Sequence, residues 1–256
     1  MKPKISIVTV TFNCEDHIRG TIESVIAQNY SFIEYIIIDG KSTDRTLSII
    51  SEYKDHIHMI VSEEDGGIYD AMNQGVIKAT GDFINFMNAG DVFYNEYVIS
   101  SLFDCENEHF ENVDVIVGDA VAKFDGFTKV YKARYPSARN PMPFNHQAVF
   151  VRVDRAKEFP FSLNYKICSD RNFFMALQKK GAKFLVVEDK IAIIEAIGYS
   201  SSNSYKGALE SLAILREHKS INNVEFLTRK ILLLAKEFVR MFIPRRLMNL
   251  VYKITK

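Results

Sequence analysis

Hydrophobic and polar positions alternate in blocks along the first third of the chain. Residues 5–12 read ISIVTVTF, a continuous β-branched run of the kind a parallel strand shows when both its faces are covered. Residues 16–28 repeat apolar positions at helical spacing, with Ile18, Ile22, Val25 and Ile26 on one side. EYIIID (34–39) predicts a second buried strand, and STDRTLSIISEYK (42–54) a helix opening on good capping residues. IHMIVS (57–62) is a third, short strand. Residues 66–81 hold a helix with Ile68, Ala71, Met72 and Val76 on its inner face and Gly81 closing it, and DFINFMN (82–88) is a fourth strand. Strand–helix repetition forces parallel pairing with right-handed crossovers, hence an open α/β sheet.

Such sheets bind ligands beyond the carboxyl ends of their strands. The residues to read are therefore Thr11, Phe12 and Asn13, then Asp39 and Gly40, then Ser62 to Gly67, then Asn88 to Asp91. All four ends are polar and converge on one crevice. Farther on, residues 112–135 alternate around Asp125-Gly126, which predicts a tight hairpin. FNHQAVFVR (144–152) reads as a strand, and SDRNFFMALQKKG (169–181) as a helix with Ser169 or Asp170 at its N-cap and Gly181 at its end. AKFLVVED and KIAIIEA supply further strand, and from Ser204 the chain reads as helix nearly to its end. No linker or repeat interrupts it. We expect a domain over 1–203, in halves 1–94 and 95–203, followed by helices over 204–256.

Composition narrows the class. A chain of 256 residues, 47% hydrophobic, can bury a substantial core. Zero formal net charge carries no footprint for nucleic acid. The three cysteines, Cys14, Cys105 and Cys168, are isolated, which argues against a disulfide framework and for a reducing compartment. The first apolar run is too short and too soon polar for a signal peptide, and no run is long enough to span a bilayer. A cytoplasmic protein is expected.

No GxGxxG follows the first strand, and neither GxxxxGK[ST] nor GxSxG occurs. What remains is a sheet that must hold a ligand by carboxylates and backbone. The blocks ISIVTVTFN, IIIDGKSTDRT, SEEDGGIYDAMNQGVIKATGDFINFMNAGD and SDRNFF, in this order and spacing, resemble the family 2 inverting glycosyltransferases of GT-A fold. NHQAVF followed by KICSDRNFF further resembles the branch that builds bacterial surface polysaccharides. The resemblance implies an open, mixed, mostly parallel α/β sheet flanked by helices. It also implies transfer of a hexose from a nucleoside-diphosphate sugar, such as a UDP-sugar, to a lipid-linked or growing surface glycan.

That resemblance assigns roles to residues. A diphosphate leaving group departs with negative charge, which Mn²⁺ or Mg²⁺ on hard oxygen ligands neutralises. Family members carry an Asp-x-Asp-like motif after the fourth strand. Here the stretch is Asn88-Ala89-Gly90-Asp91, so Asp91 is the expected metal ligand and Asn88 a hydrogen-bonding group. A plain Gly-Asp turn is the alternative. Asp39 is expected to accept a base N–H, although Gly40 follows it where relatives often have a second acid. Thr11, Phe12 and Asn13 match the loop packed on base and ribose. Asp65 and Asn73 match a block under the nucleotide, whereas Asp70 reads as a helix cap. Asp170 matches the catalytic base, in competition with a capping role. His146 and Gln147 match sugar or diphosphate contacts, a satisfied buried histidine being the alternative; His56 and His58 read as surface residues.

Between Arg229 and Lys256 there are eight basic residues against one acid, Glu237, interleaved with leucine, isoleucine and phenylalanine. A basic amphipathic helix over 228–256, broken at Pro244, lies naturally on an anionic membrane surface. Peripheral attachment at the inner face of the cell membrane is therefore expected; packing on the domain is the rival. A non-catalytic nucleotide-sugar-binding scaffold of a membrane polysaccharide assembly is the alternative function.

Overall fold

Ile5–Thr11 forms β1, and every one of its seven residues is buried. Its side chains divide by parity: Ile5 and Ile7 enter one core cluster, Val8 and Val10 the other. The same division holds in β2 (Ile33–Asp39), with Tyr35 and Ile37 on one face and Ile36 and Ile38 on the other. Two covered faces explain why these runs are apolar without alternation. The computed structural model describes residues 2–104, 110, 112–124, 126–137, 140–195 and 204–242, without the side chains of 204 and 239–242.

Nine strands, counted among the described residues, form one mixed sheet in the order β3-β2-β1-β4-β8-β6-β9-β5, with β7 paired to residues 120–124 of β6. Its first half is parallel: β1 pairs with β2 and with β4 (Phe83–Phe86), and β2 with β3 (Met59–Ser62). Helices α1 (Ile18–Ile26), α2 (Thr46–Glu52) and α3 (Ile68–Lys78) make the crossovers. The second half is largely antiparallel. It contains β5 (Val92–Phe93), β6 (Val115–Phe124), β7 (Phe127–Tyr131), β8 (Val149–Arg152) and β9 (Phe184–Glu195). Short helices α4 (Val98–Phe103) and α5 (Val153–Glu158) and the longer α6 (Ser169–Lys179) fill in around it.

Several local expectations are corrected. Helix α2 starts only at Thr46, because Ser42 and Thr43 are drawn into loop hydrogen bonds with Asp39 and Asn13. On α3 it is Tyr69 that faces inward, while Ile68 is 38% exposed. That helix ends at Lys78, before Gly81; a Cβ at Gly81 would sit 2.7 Å from the Lys4 carbonyl oxygen, so the close chain approach requires glycine. The stretch 144–152 is strand only from Val149. The buried Asn85 amide on β4 donates to the carbonyls of Gln147 and Val149 (2.9 and 2.8 Å), and His146–Ala148 forms a 3-10 turn. The two C-terminal strand runs are one strand, β9, carried through its polar Asp189-Lys190 by pairing with β6. The hairpin turns as expected, with Gly126 at φ +81°.

Far from the strand ends that matter for function, Glu34 ties three segments together. It accepts hydrogen bonds from Lys4 Nζ (2.8 Å), Ser6 Oγ (2.6 Å), and both the amide and hydroxyl of Thr80 (2.8 and 2.5 Å). Burial opposes its charge, but these donors prevail and hold it down at about 2.

Chain contacts separate residues 1–198 from 199–256. Within the second unit, α7 (Ser204–Glu217) is followed by α8 (Asn223–Phe242). The break falls where Lys219 takes φ +55°, and Asn222 Oδ1 accepts the Glu225 amide at 2.8 Å to start α8. Val224, Leu227, Ile231, Leu234 and Phe238 repeat at helical spacing along α8 and are 48–76% exposed. Pro244 and the last basic residues lie outside the described residues, as does Cys105.

Candidate active site

The carboxyl ends of β1 and β2 are held together by their own loops. Asp39 is fully buried; its carboxylate accepts from Ser42 Oγ, from the Ser42 amide (3.0 Å) and from Ser62 Oγ (2.6 Å). Asn13, at φ +48°, donates its amide to Ser42 Oγ and accepts the Thr43 amide on Oδ1, both at 2.8 Å. Asp39 therefore serves the shape of these loops from within rather than presenting a free carboxylate. Thr11 is buried, and its Oγ1 has no hydrogen-bond partner among the described residues.

The outward-facing groups here are Phe12 and Asp65. Phe12 is 58% exposed. A Cβ built on Gly40 would lie 2.6 Å from Asp65 Oδ2 and 3.4 Å from the Phe12 ring. The carboxylate of Asp65 thus occupies the space a side chain at position 40 would take, and its Oδ1 is steadied by the Gly67 amide at 2.8 Å. Asp70 accepts the Gly66 amide, also at 2.8 Å, which fits its reading as a cap. Both ends of the Asn73 amide bond the Phe161 backbone (2.9 and 2.8 Å), tying α3 to the segment before α6.

After β4 the chain turns at Asn88-Ala89-Gly90-Asp91. The Ala89 amide reaches Val10 O at 3.2 Å, continuing the register beside β1. Gly90 takes φ +104°, and Thr21 of α1 clamps the turn, accepting the Gly90 amide and donating to Asp91 O. Asp91 receives the Gln147 amide Nε2 on Oδ2 at 2.8 Å. Burial pushes the Asp91 carboxyl up, and the Gln147 hydrogen bond and nearby His146 pull it back only part-way, to about 6.

Asp170 lies in the first turn of α6, but its side chain does not cap that helix, which begins without any side-chain cap. It stands 3.3 Å from His146 Nδ1 through Oδ2. Oδ1 accepts the Arg171 amide at 2.7 Å, with the Tyr69 hydroxyl at 3.4 Å. That hydroxyl also donates to Ile167 O at 2.6 Å, and burial, with the Asp170 charge next, raises its pKa. The other ring nitrogen of His146, Nε2, lies 3.4 Å from Asn88 Nδ2. Consecutive residues His146 and Gln147 therefore each hold one carboxylate, Asp170 from one half of the chain and Asp91 from the other.

The structure thus brings Asn88, Asp91, His146, Gln147 and Asp170 together, and groups Phe12, Gly40 and Asp65 separately at the ends of β1 to β3. Tyr69, Thr21 and Asn85 also shape the site and were not foreseen. Each sits in an apolar or helical block where its polar atom is indistinguishable from a core or surface group by pattern alone.

The glycosyl transferase family 2 model matches residues 6–172. A Mycobacterium tuberculosis protein named as uncharacterized glycosyltransferase Rv1514c is 31% identical over 188 residues, 68% of each chain. Bacillus subtilis TuaG, named as a putative teichuronic acid biosynthesis glycosyltransferase, is 26% identical over 226 residues, 84% of this chain and 88% of that one. Among solved structures, S. aureus TarS 1–349 in complex with UDP superposes with a TM-score of 0.63 at 18% identity, over 84% of this chain and 65% of that chain. The chain thus spans slightly under two-thirds of the TarS chain. The mannosyltransferase PcManGT from Pyrobaculum calidifontis, in complex with GDP-Man and Mn²⁺, superposes with a TM-score of 0.66 at 14% identity, over 87% of this chain and 66% of that chain. With a family model matched over most of its length and a mixed sheet shared with these structures, the chain belongs to glycosyl transferase family 2, a family of glycosyltransferase enzymes, and has the GT-A fold.

Proposed function

We propose that this protein is an inverting transferase that moves a hexose from a nucleoside-diphosphate sugar, a UDP-sugar, to a lipid-linked or growing bacterial surface glycan. The observation that carries this reading is the pair of half-buried carboxylates, Asp91 and Asp170, gripped by adjacent residues of one turn. Direct displacement needs a base to take the proton from the attacking hydroxyl and positive charge on the leaving side, which a carboxylate can anchor as a cation.

On the leaving side, the donor set fits a divalent cation. Asp91 supplies one carboxylate, and the side-chain oxygens of Asn88 and Gln147 are buried without partners among the described residues. Magnesium-type sites commonly use one or two carboxylates and take their other oxygens from substrate phosphates and water. Asp91 would hold the cation, with Gln147 beside it; when bound, the cation neutralises charge developing on the diphosphate. On the attacking side, Asp170 accepts the acceptor's hydroxyl proton. That oxygen forms its bond to the anomeric carbon as the bond to the diphosphate oxygen breaks and the diphosphate leaves with the electron pair. At the base end, Phe12 offers an apolar face and Asp65 an acceptor, on loops that Asp39 and Asn13 hold in place.

The names of TuaG and of the mycobacterial PGL/p-HBAD biosynthesis glycosyltransferases support a surface-glycan acceptor. UDP and UDP-GlcNAc in TarS structures support the uridine donor, and Mn²⁺ in PcManGT supports the metal. No helix among the described residues is long and apolar enough to cross a membrane. The exposed apolar stripe of α8, with Arg229, Lys230 and Lys236 around it, supports attachment to an anionic bilayer surface, the inner face of the cell membrane. Release of UDP from a panel of UDP-sugars, with Mn²⁺ and with EDTA, tests the reading. A scaffold that only binds nucleotide would release none.

A further inference from the structure

We propose that His146 is the positioning residue for Asp170, and that Asn88 fixes the ring tautomer with which it does so. The inference rests on the reading of Asp170 as the base, and it concerns what orients that base.

The hydrogen-bond roles are determined from both ends. Asp170 is an acceptor-only carboxylate, so the ring atom facing Oδ2 at 3.3 Å must carry a proton: Nδ1–H. A neutral imidazole then has a bare Nε2, which needs a donor, and Asn88 Nδ2 stands 3.4 Å from it. Turning the Asn88 amide over would set its oxygen against Nε2 and call for a proton there, which a neutral ring supplies only by leaving bare Nδ1 facing a carboxylate and a charged ring by holding both protons. With Asn88 Nδ2 set against Nε2, the neutral ring accepts from Asn88 at Nε2 and donates Nδ1–H to Asp170 Oδ2.

This chain does two things. On Asp170, Oδ1 takes the Arg171 amide and lies within reach of the Tyr69 hydroxyl, while Oδ2 takes only the imidazole. One lone pair of Oδ2 is left for the acceptor's proton, in a plane set by the ring. Second, Asn88 belongs to the turn that ends in Asp91, where the Asp91 amide bonds Asn88 O at 3.0 Å. The orientation of the base is thereby tied to the loop on the donor side. The ring itself is immobilised by its chain neighbour Gln147, whose carbonyl is held by Asn85 and whose amide is held by Asp91. A histidine that instead contacted the diphosphate would need a ring nitrogen free for it, and both are engaged.

The test uses the full chain with UDP and Mn²⁺ as probe. Long-range ¹H–¹⁵N spectra of the imidazoles, with His146 assigned by the signal lost in His146→Asn, should show the Nδ1–H tautomer for that ring. UDP affinity should stay within about twofold in His146→Asn and His146→Ala, since both ring nitrogens are engaged by Asp170 and Asn88. With the UDP-sugar that the wild type turns over, His146→Ala should lower turnover about tenfold to a hundredfold at little change in KM. His146→Asn, whose amide N–H can stand in for Nδ1–H, should recover most of it. An Nε2–H tautomer overturns the proposal, as does a tenfold loss of UDP affinity in both variants. Full turnover by Asp170→Asn would overturn the base assignment instead, and would leave the tautomer result standing.

Discussion

Gln147 donates its side-chain amide to Asp91 across 2.8 Å, joining the turn after β4 to the turn before β8. The Gln147 amide, the Glu195 backbone N–H and nearby His146 offset only part of what burial costs this carboxylate, which is pushed up to about 6. That imbalance makes Asp91 costly to the apo fold and favourable for a cation.

The first prediction follows by linkage. The folded pKa lies above the unfolded value of 3.8, so the folded protein binds this proton more tightly than the unfolded chain. The penalty is absent below about pH 4, grows as pH rises through the window up to about 6, and is complete above it. Asp91→Asn should therefore be more stable than wild type at pH 8, by on the order of 3 kcal/mol, and equal to it near pH 4. Urea unfolding at the two pH values checks this, and the same variant should have lost metal-dependent UDP binding.

Gly40 tests the base end. Adding a methyl in Gly40→Ala places a carbon where Asp65 Oδ2 now sits, 2.6 Å away. The carboxylate is the mobile party and should move, weakening UDP binding about tenfold while the melting temperature shifts little. Equal UDP affinity in calorimetry would show that Asp65 does not meet the base.

Glu34 provides the converse, a residue of stability without function. Its folded pKa is depressed to about 2, so its contribution is present above the unfolded value of 4.5 and is lost as pH falls through 2. Glu34→Ala leaves Lys4, Ser6 and Thr80 without their shared acceptor and should cost roughly 2–4 kcal/mol at pH 7. Because it sits at the opposite ends of β1 and β2 from Asp39, UDP affinity should not change.

The C-terminal helix yields a fourth expectation. Replacing Leu227, Ile231 and Leu234 with serine removes the apolar stripe of α8 but keeps its cations. Flotation with phosphatidylserine vesicles should fall about tenfold, while UDP binding stays intact. Unchanged flotation would mean that this stripe does not meet lipid.

Much of the first half was legible because a strand covered on both faces reads as an unbroken apolar run, and the polar residues at its end are then conspicuous. Thr11, Asp39 and Asp91 stand out in that way. What those end residues face was not legible. Asp39 and Asn13 look like ligand groups, yet their partners are Ser42, Ser62 and Thr43, between 3 and 30 positions along the chain. Asn73 shares the site's block but is taken up by Phe161, 88 positions along the chain, which no local pattern reveals. The two-residue β5 exists only through β9, and His146–Ala148 leaves the strand only because Asn85 needs acceptors. Pairing between distant segments decided each of these, and periodicity carries no record of it.

The most direct test of the central claim is release of UDP from a panel of UDP-sugars with Mn²⁺, comparing wild type with Asp170→Asn. The wild type should release UDP from one donor in a metal-dependent way, and Asp170→Asn should lose that release by about a hundredfold or more with UDP binding retained. Release by Asp170→Asn at the wild-type rate, or no release from any donor by the wild type, would contradict this function.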